Sequence, residues 1–242
     1  MTNAAPVITT FTTSTAPTAA GANTTATVSF SDVGSADTHA ALVSWGDGSS
    51  STVNAGLATQ ASASHAYAVP GFYTVSVTVT DDDGASASAT STTTSIVYAA
   101  TAGWLQAKGS LPGSSNNNGN GKTATQFDLD ARYVSGTVPT GAFSLSVGAT
   151  GLEVRGTTME YLVVEGSKAT LRGAGTLADG TAVSWLVSGI DGKLGPNTTD
   201  DRIRIRIVNS ATGATVYDTQ PGAADLAAPT SVLSTGKVDI HK

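Results

Sequence analysis

The sequence predicts an all-β protein built as two tandem β-sandwich domains, and three observations carry that prediction. Apolar and polar residues alternate with a period of two in run after run, with no helical period competing. Gly-, Pro- and Asp-rich turn signals separate the runs. The charge pattern also breaks near residue 98, as two modules of separate origin would make it do.

In the first half the runs are TATVSF (25–30), ALVSW (41–45), YTVSVTVT (73–80) and SASATSTTTSIV (86–97). In the third, Tyr73, Val75, Val77 and Val79 fall on one face and Thr74, Ser76, Thr78 and Thr80 on the other, as expected of a strand with one buried side. GDGSS (46–50), VPGF (69–72) and DDDG (81–84) read as turns, since Asp-Gly pairs suit tight hairpins. About seven short strands in fewer than 100 residues point to an immunoglobulin-like sandwich over 1–98.

After a short connection at 99–103, expected to limit how far the two domains swing, the same grammar continues over 104–242 as a second sandwich or barrel-like module. Its expected strands are 104–109, 124–133, 142–147, 152–156, 160–166, 168–177, 182–190, 202–208 and 214–218. Gly173 and Gly175 inside one run signal a bulge or a close backbone approach.

Composition excludes several chemistries. With no cysteine there is no disulfide, thiolate nucleophile or Cys-bearing metal site. No apolar run approaches the roughly 20 residues that span a bilayer, so no membrane insertion is expected. The start MTNAAPVITTF has neither a basic nor an apolar signal region, so if the protein is secreted its signal is expected to have been removed. The net charge of −6 argues against nucleic acid, which needs a basic surface. That charge is uneven: residues 1–98 hold six Asp and no Lys or Arg, whereas all 12 cations lie beyond, with 12 of the 18 acids. The six acids are thus expected to be met by backbone N–H groups, water or a bound cation. HExxH and GxSxG are absent. A paired-carboxylate site using Glu153, Glu160, Asp191 or Asp201 stays open, because such pairs meet only in three dimensions.

The first half carries specific motifs: WGDG at Trp45 to Gly48, His-x-Tyr at His65 to Tyr67, and PGFYTVSVTVTD from Pro70 to Asp81. In these it resembles the PKD domain over residues 5–97. The resemblance implies an extracellular immunoglobulin-like sandwich that serves secreted or cell-surface bacterial proteins as a spacer, adhesion or accessory module and is rarely catalytic. The expected partners are other domains of the parent protein, a cell-surface protein or a polysaccharide. The second half, with DGKLGPNTTDDRIRI followed by VYD, resembles a post-COAP-type β module of secreted bacterial proteins over about 102–222. That likeness implies an architecture and a location, without an activity.

Individual residues can then be weighed. Trp45 is expected in the core and Asp47 as an acceptor of turn N–H groups, with Tyr67 bonding back to the backbone at a corner. Trp104 and Trp185 are also expected to be largely buried, which disfavours a row of exposed aromatics for sugar stacking. Asp81, Asp82 and Asp83 are either a plain hairpin turn or, with Asp32 and Asp37, oxygen donors for calcium, which takes about 6–8 oxygens. Asp191, Asn197, Asp200 and Asp201 offer a second calcium loop, although Gly192, Gly195 and Pro196 equally suit an ordinary connection. Gly121, Lys122 and Thr123 end like a phosphate loop, but Asn116 stands where its first glycine belongs and a strand pattern follows. Ile203, Ile205 and Ile207 should enter the core. Arg202, Arg204 and Arg206 then form either a solvated face paired with Glu153, Glu160 or Glu165, or an anionic-glycan site.

Overall fold

A computed structural model describes residues 3–34, 36–100, 103–112, 124–134, 136–195 and 200–241. The chain divides into two compact units, Met1–Tyr98 and Ala99–Lys242. Both are all-β; the described residues contain no helix.

The first unit is a sandwich built from ten strands: β1 Val7–Thr13, β2 Thr18–Ala19, β3 Asn23–Ser31, β4 His39–Ser44, β5 Ser50–Gly56, β6 Gln60–Ala66, β7 Gly71–Tyr73, β8 Ser76–Asp81, β9 Ser86–Thr90 and β10 Ser95–Tyr98. One sheet runs β1-β3-β6, a second β5-β4-β8-β9, and a short third β2-β10-β7. Alternate residues of facing strands meet inside: Ala26, Val28 and Phe30 from β3, Ala41 and Val43 from β4, and Val77 and Val79 from β8, with Trp45 at the centre. Two expected strands prove to be pairs. The run 73–80 breaks after Tyr73, because β7 joins β10 whereas β8 lies between β4 and β9. The run 86–97 breaks likewise into β9 and β10. There Ser91 N–H bonds Val75 O at 2.8 Å as the chain changes sheet. Period-two alternation persists across the first break and an unbroken Ser/Thr stretch, residues 90–95, runs through the second, so neither is visible in the sequence.

The second unit continues with β11 Trp104–Leu111, β12 Thr125–Arg132, β13 Thr140–Val147, β14 Leu152–Glu165, β15 Lys168–Leu177, β16 Ala182–Ile190, β17 Arg202–Asn209, β18 Thr215–Asp218, β19 Ser231–Val232 and β20 Thr235–His241. They form one sheet in the order β18-β17-β16-β15-β14-β13-β12-β11-β20, with β19 also on β17. The stretches 152–156 and 160–166 are one strand, β14, interrupted only in register by bulges at Gly156/Thr158 and Met159/Tyr161. The sheet curls about a single core. A Cβ on Gly189 of β16 would stand 2.9 Å from Val238 of β20 and 3.6 Å from Leu105 of β11, so the β16 and β20 regions face each other across that core. Trp185 fills its middle, and here the strand glycine is explained: a Cβ on Gly173 would lie 2.2 Å from the indole ring.

Candidate functional site

In the first unit the signature residues converge on one corner. Trp45, just after β4, is fully buried, with its indole Nε1 donating to Ser51 Oγ at 2.9 Å. Gly46 and Gly48 take positive φ values of 86° and 91°. Asp47 sits between them. Its Oδ1 accepts from Ser49 N at 2.9 Å and Ser49 Oγ at 2.6 Å, and its Oδ2 lies 2.7 Å from His65 Nε2. Burial pushes this carboxyl's pKa up, but the bonds from Ser49 and His65 outweigh it and hold the value at about 2. The His65 ring stacks on Trp45 at 5.1 Å, Tyr67 stacks on Tyr73 at 4.2 Å, and Tyr67 OH donates to Trp45 O at 2.8 Å, the corner bond expected of it. Burial raises the Tyr67 pKa to about 12, so this proton stays on the phenol at physiological pH.

In the second unit, Asp191 and Asp201 come together as acceptors of backbone N–H groups. Asp191 Oδ1 accepts from Lys193 N at 3.0 Å and Oδ2 from Ile240 N at 3.3 Å; Asp201 Oδ1 accepts from Gly192 N at 2.9 Å and Oδ2 from Val238 N at 2.7 Å. All four oxygens are engaged, and two of them hold β20 against the β16–β17 connection. Asp200 is exposed beside them. Asn197 lies outside the described residues, as does the loop carrying Asn116, Gly121, Lys122 and Thr123.

The arginine row departs from the expectation of a solvated face. Ile203, Ile205 and Ile207 are fully buried, as expected, but Arg204 on the opposite face is only 1% exposed. It pairs with Asp218 (Nε–Oδ1 3.3 Å, Nη2–Oδ2 3.0 Å) and donates to the carbonyls of Ala223 and Ala224. Arg206 pairs with Asp225 and reaches Asp218, and Arg202 is half-buried beside β19. None of the three uses a glutamate: Glu160 pairs with Arg172 at 3.0 Å, Glu165 lies 3.7 Å from Lys168, and Glu153 is exposed. The reason is the segment 219–230, a strap laid over this face and tied by Arg204 and by Lys168 Nζ to Leu226 O at 3.1 Å. The strap is rich in Ala, Gly and Pro and carries no strand pattern, so nothing in it announced that a polar face would be covered.

In the first unit, then, the three signature segments meet at one buried corner. Residues 3–97 match the family model of the PKD domain. The match closely tracks the stretch that carries the motifs. No curated protein matches the chain.

In the first unit, Asp32, Asp47 and Asp81 accept backbone N–H groups, as expected, but Asp32 and Asp47 also find ionic partners despite the lack of Lys and Arg, because histidine serves. His39 Nε2 lies 3.0 Å from Asp32 Oδ2, and with the N–H of Gly34 this lowers the Asp32 pKa. Asp81 is buried, accepting from Ala85 N at 2.8 Å and Asn3 Nδ2 at 3.0 Å, and the DDDG turn closes as a hairpin between β8 and β9. Asp82 and Asp83 are exposed. Asp37 shares their neighbourhood: burial, then the charges of Asp82, Asp32, Asp83 and Asp81, raise its pKa. Among the described residues no group of three or more His, Asp or Glu side chains is arranged to hold a metal ion.

The outer face of β20, β11, β12, β13 and β14 is a further candidate site, of which the sequence pointed only to Glu153. This face is concave, encloses about 550 Å³, and presents Lys108, Gln126, Asp128, Ser144, Glu153 and Arg155. Register places Lys108 opposite Asp128, with Nζ to Oδ2 at 2.7 Å, then Asp128 opposite Ser144 and Ser144 opposite Arg155. The available signal was the polar half of each alternating run.

Proposed function

We propose that the chain is a non-catalytic pair of extracellular modules from a secreted or cell-surface bacterial protein, the PKD domain acting as a spacer and the post-COAP-like unit as an interaction module. The observation that carries this reading is the employment of the ionisable side chains. Asp47 and His65 hold a turn, Asp191 and Asp201 take two backbone N–H groups each, and Arg204 and Asp218 hold a strap. A general acid or base needs a free position aimed at substrate, and these groups are spent on the fold. Partners are other domains of the parent protein and surface protein or polysaccharide. The test is incubation of the purified chain with glycan and peptide substrates beside a panel of immobilised surface polymers. Binding without turnover is expected; turnover above that of a heat-inactivated sample would overturn the reading.

The concave polar face favours a second reading, that of a carbohydrate-binding accessory module. Its mixed donors and acceptors suit hydroxyl groups, although Trp45 and Trp185 are buried and Trp104 is half-covered, stacked on His241 at 4.4 Å. Retention on a polysaccharide that disappears in Gln126→Ala and Arg155→Ala supports this reading; retention unchanged by both removes it.

Calcium enters as a stiffening ligand of the acidic end of the PKD domain, where it would relieve the carboxylate repulsion that adds to burial in raising the Asp37 pKa, with backbone carbonyls completing the oxygen set. A ligand selective for the folded state raises the melting midpoint with its concentration. A midpoint unmoved by millimolar calcium excludes this role.

A further inference from the structure

We propose that the cleft where the second unit's sheet splits, between β13 and β14, takes up an extended segment of another polypeptide as an added strand. The two strands are laddered only over Ser144–Val147 and Leu152–Arg155. β13 nevertheless runs back to Thr140 along β12, and β14 runs on to Glu165 along β15. Beyond Phe143 and Gly156 they part, so one side of Thr140–Ala142 and one side of Thr157–Glu160 face no strand among the described residues. Strand backbone left in this state is a template for pairing. Strand addition takes its affinity from such ladder bonds and its specificity from side-chain pockets between them.

The cleft has such a pocket, of about 340 Å³, floored by Phe143, Met159 and Trp185 and flanked by Val138 and Pro139. Its far end is stopped by Tyr133, whose hydroxyl accepts from Leu162 N at 3.0 Å and donates to Leu162 O at 3.2 Å, the two groups a strand would use there. The open edge of β14 thus has a defined length, residues 157–160, or roughly 13 Å at about 3.3 Å per residue. Val138 is 51% exposed on the cleft's lining, an apolar rim with nothing covering it among the described residues. No lining side chain is charged, so a charge on the guest would be desolvated without a partner. These features together select a short, uncharged, strand-forming peptide with an apolar side chain over Trp185.

The inference rests on the reading of the second unit as an interaction module, but its test addresses this cleft alone, so turnover in the assays above would leave the peptide result readable. A phage-displayed random heptapeptide library is selected against the full chain. The recovered sequence is then synthesised in plain form and with alternate amides N-methylated. The expected result is saturable binding of the plain peptide, at least tenfold weaker binding of the methylated one, and slowed hydrogen exchange at 140–142 and 157–160 but not in β20. Val138→Asp, at an exposed position, should weaken binding at least tenfold; if it fails to fold, the methylated peptide on the native chain carries the comparison. No enrichment from the library, equal binding of both peptides, or protection of these amides in the free chain overturns the proposal. Such protection rising with protein concentration would assign the cleft to a second copy instead.

Discussion

Asp201 accepts a 2.7 Å hydrogen bond from the backbone N–H of Val238, a residue on a strand that ladders only with β11 at the opposite end of the sheet. The ends of the curled sheet are therefore joined through carboxylates where no ladder closes them, Asp191 making the parallel bond to Ile240. Asp201→Ala leaves the N–H groups of Gly192 and Val238 without their acceptor. Hydrogen bonds to charged groups contribute about 1.5–3 kcal/mol each, so a loss of that order or somewhat more is expected. The measurement is denaturant unfolding together with hydrogen exchange, in which Val238 and Ile240 should exchange faster while β3 and β4 of the PKD domain are unaffected.

Arg204→Met strands Asp218 under the strap. Removing one partner of a buried pair costs about 3–5 kcal/mol, and the carbonyls of Ala223 and Ala224 lose their donor as well. Limited proteolysis should open the segment 219–230 first. Arg204→Lys should fail to rescue, since an ammonium cannot reproduce the planar fork that serves Asp218 and the two carbonyls at once. Restoration of native resistance by lysine would refute this account.

Acid should loosen the Trp45 corner in a defined window. The folded pKa of Asp47, about 2, lies below the ordinary carboxyl value of about 3.9. Its contribution is therefore fully present above about pH 4 and is lost as pH falls towards 2. A carboxyl-detected NMR titration checks the value directly. In Asp47→Asn the acid limb of the stability curve should flatten between those limits.

Gly46 and Gly48 share a backbone conformation but differ in surroundings. A Cβ at Gly46 would lie 2.5 Å from Thr74 O, whereas at Gly48 it would meet nothing within 4 Å. Gly48→Ala should cost only the left-handed strain of about 1–2 kcal/mol. Gly46→Ala must also displace the chain where it passes from β7 to β8, and should be clearly the more destabilising in thermal melts. Equal losses would mean that the close approach carries no energy.

Much of the fold was legible because alternation reports burial. Ile203, Ile205 and Ile207 were assigned to the core from spacing alone, and Trp45, Asp47 and Tyr67 from motif chemistry. Alternation is silent about which sheet a strand joins, which is why 73–80 and 86–97 concealed crossings between sheets. It is equally silent about what lies over a polar face. Arg204, Thr170 and Ser188 look solvated in the sequence and are buried under the strap. β20 was missed because Lys237, Asp239 and His241 make its outward half resemble a polar tail, leaving Val238 and Ile240 as the whole signal. The histidine partners of Asp32 and Asp47 were overlooked because only Lys and Arg were counted as cations.

Trp104 and His241 lie opposite each other on antiparallel neighbours, their rings stacked at 4.4 Å. The backbone therefore arrives at the second unit and departs from it at the same corner. A pull on these two ends would therefore load the β11–β20 ladder of the unit directly.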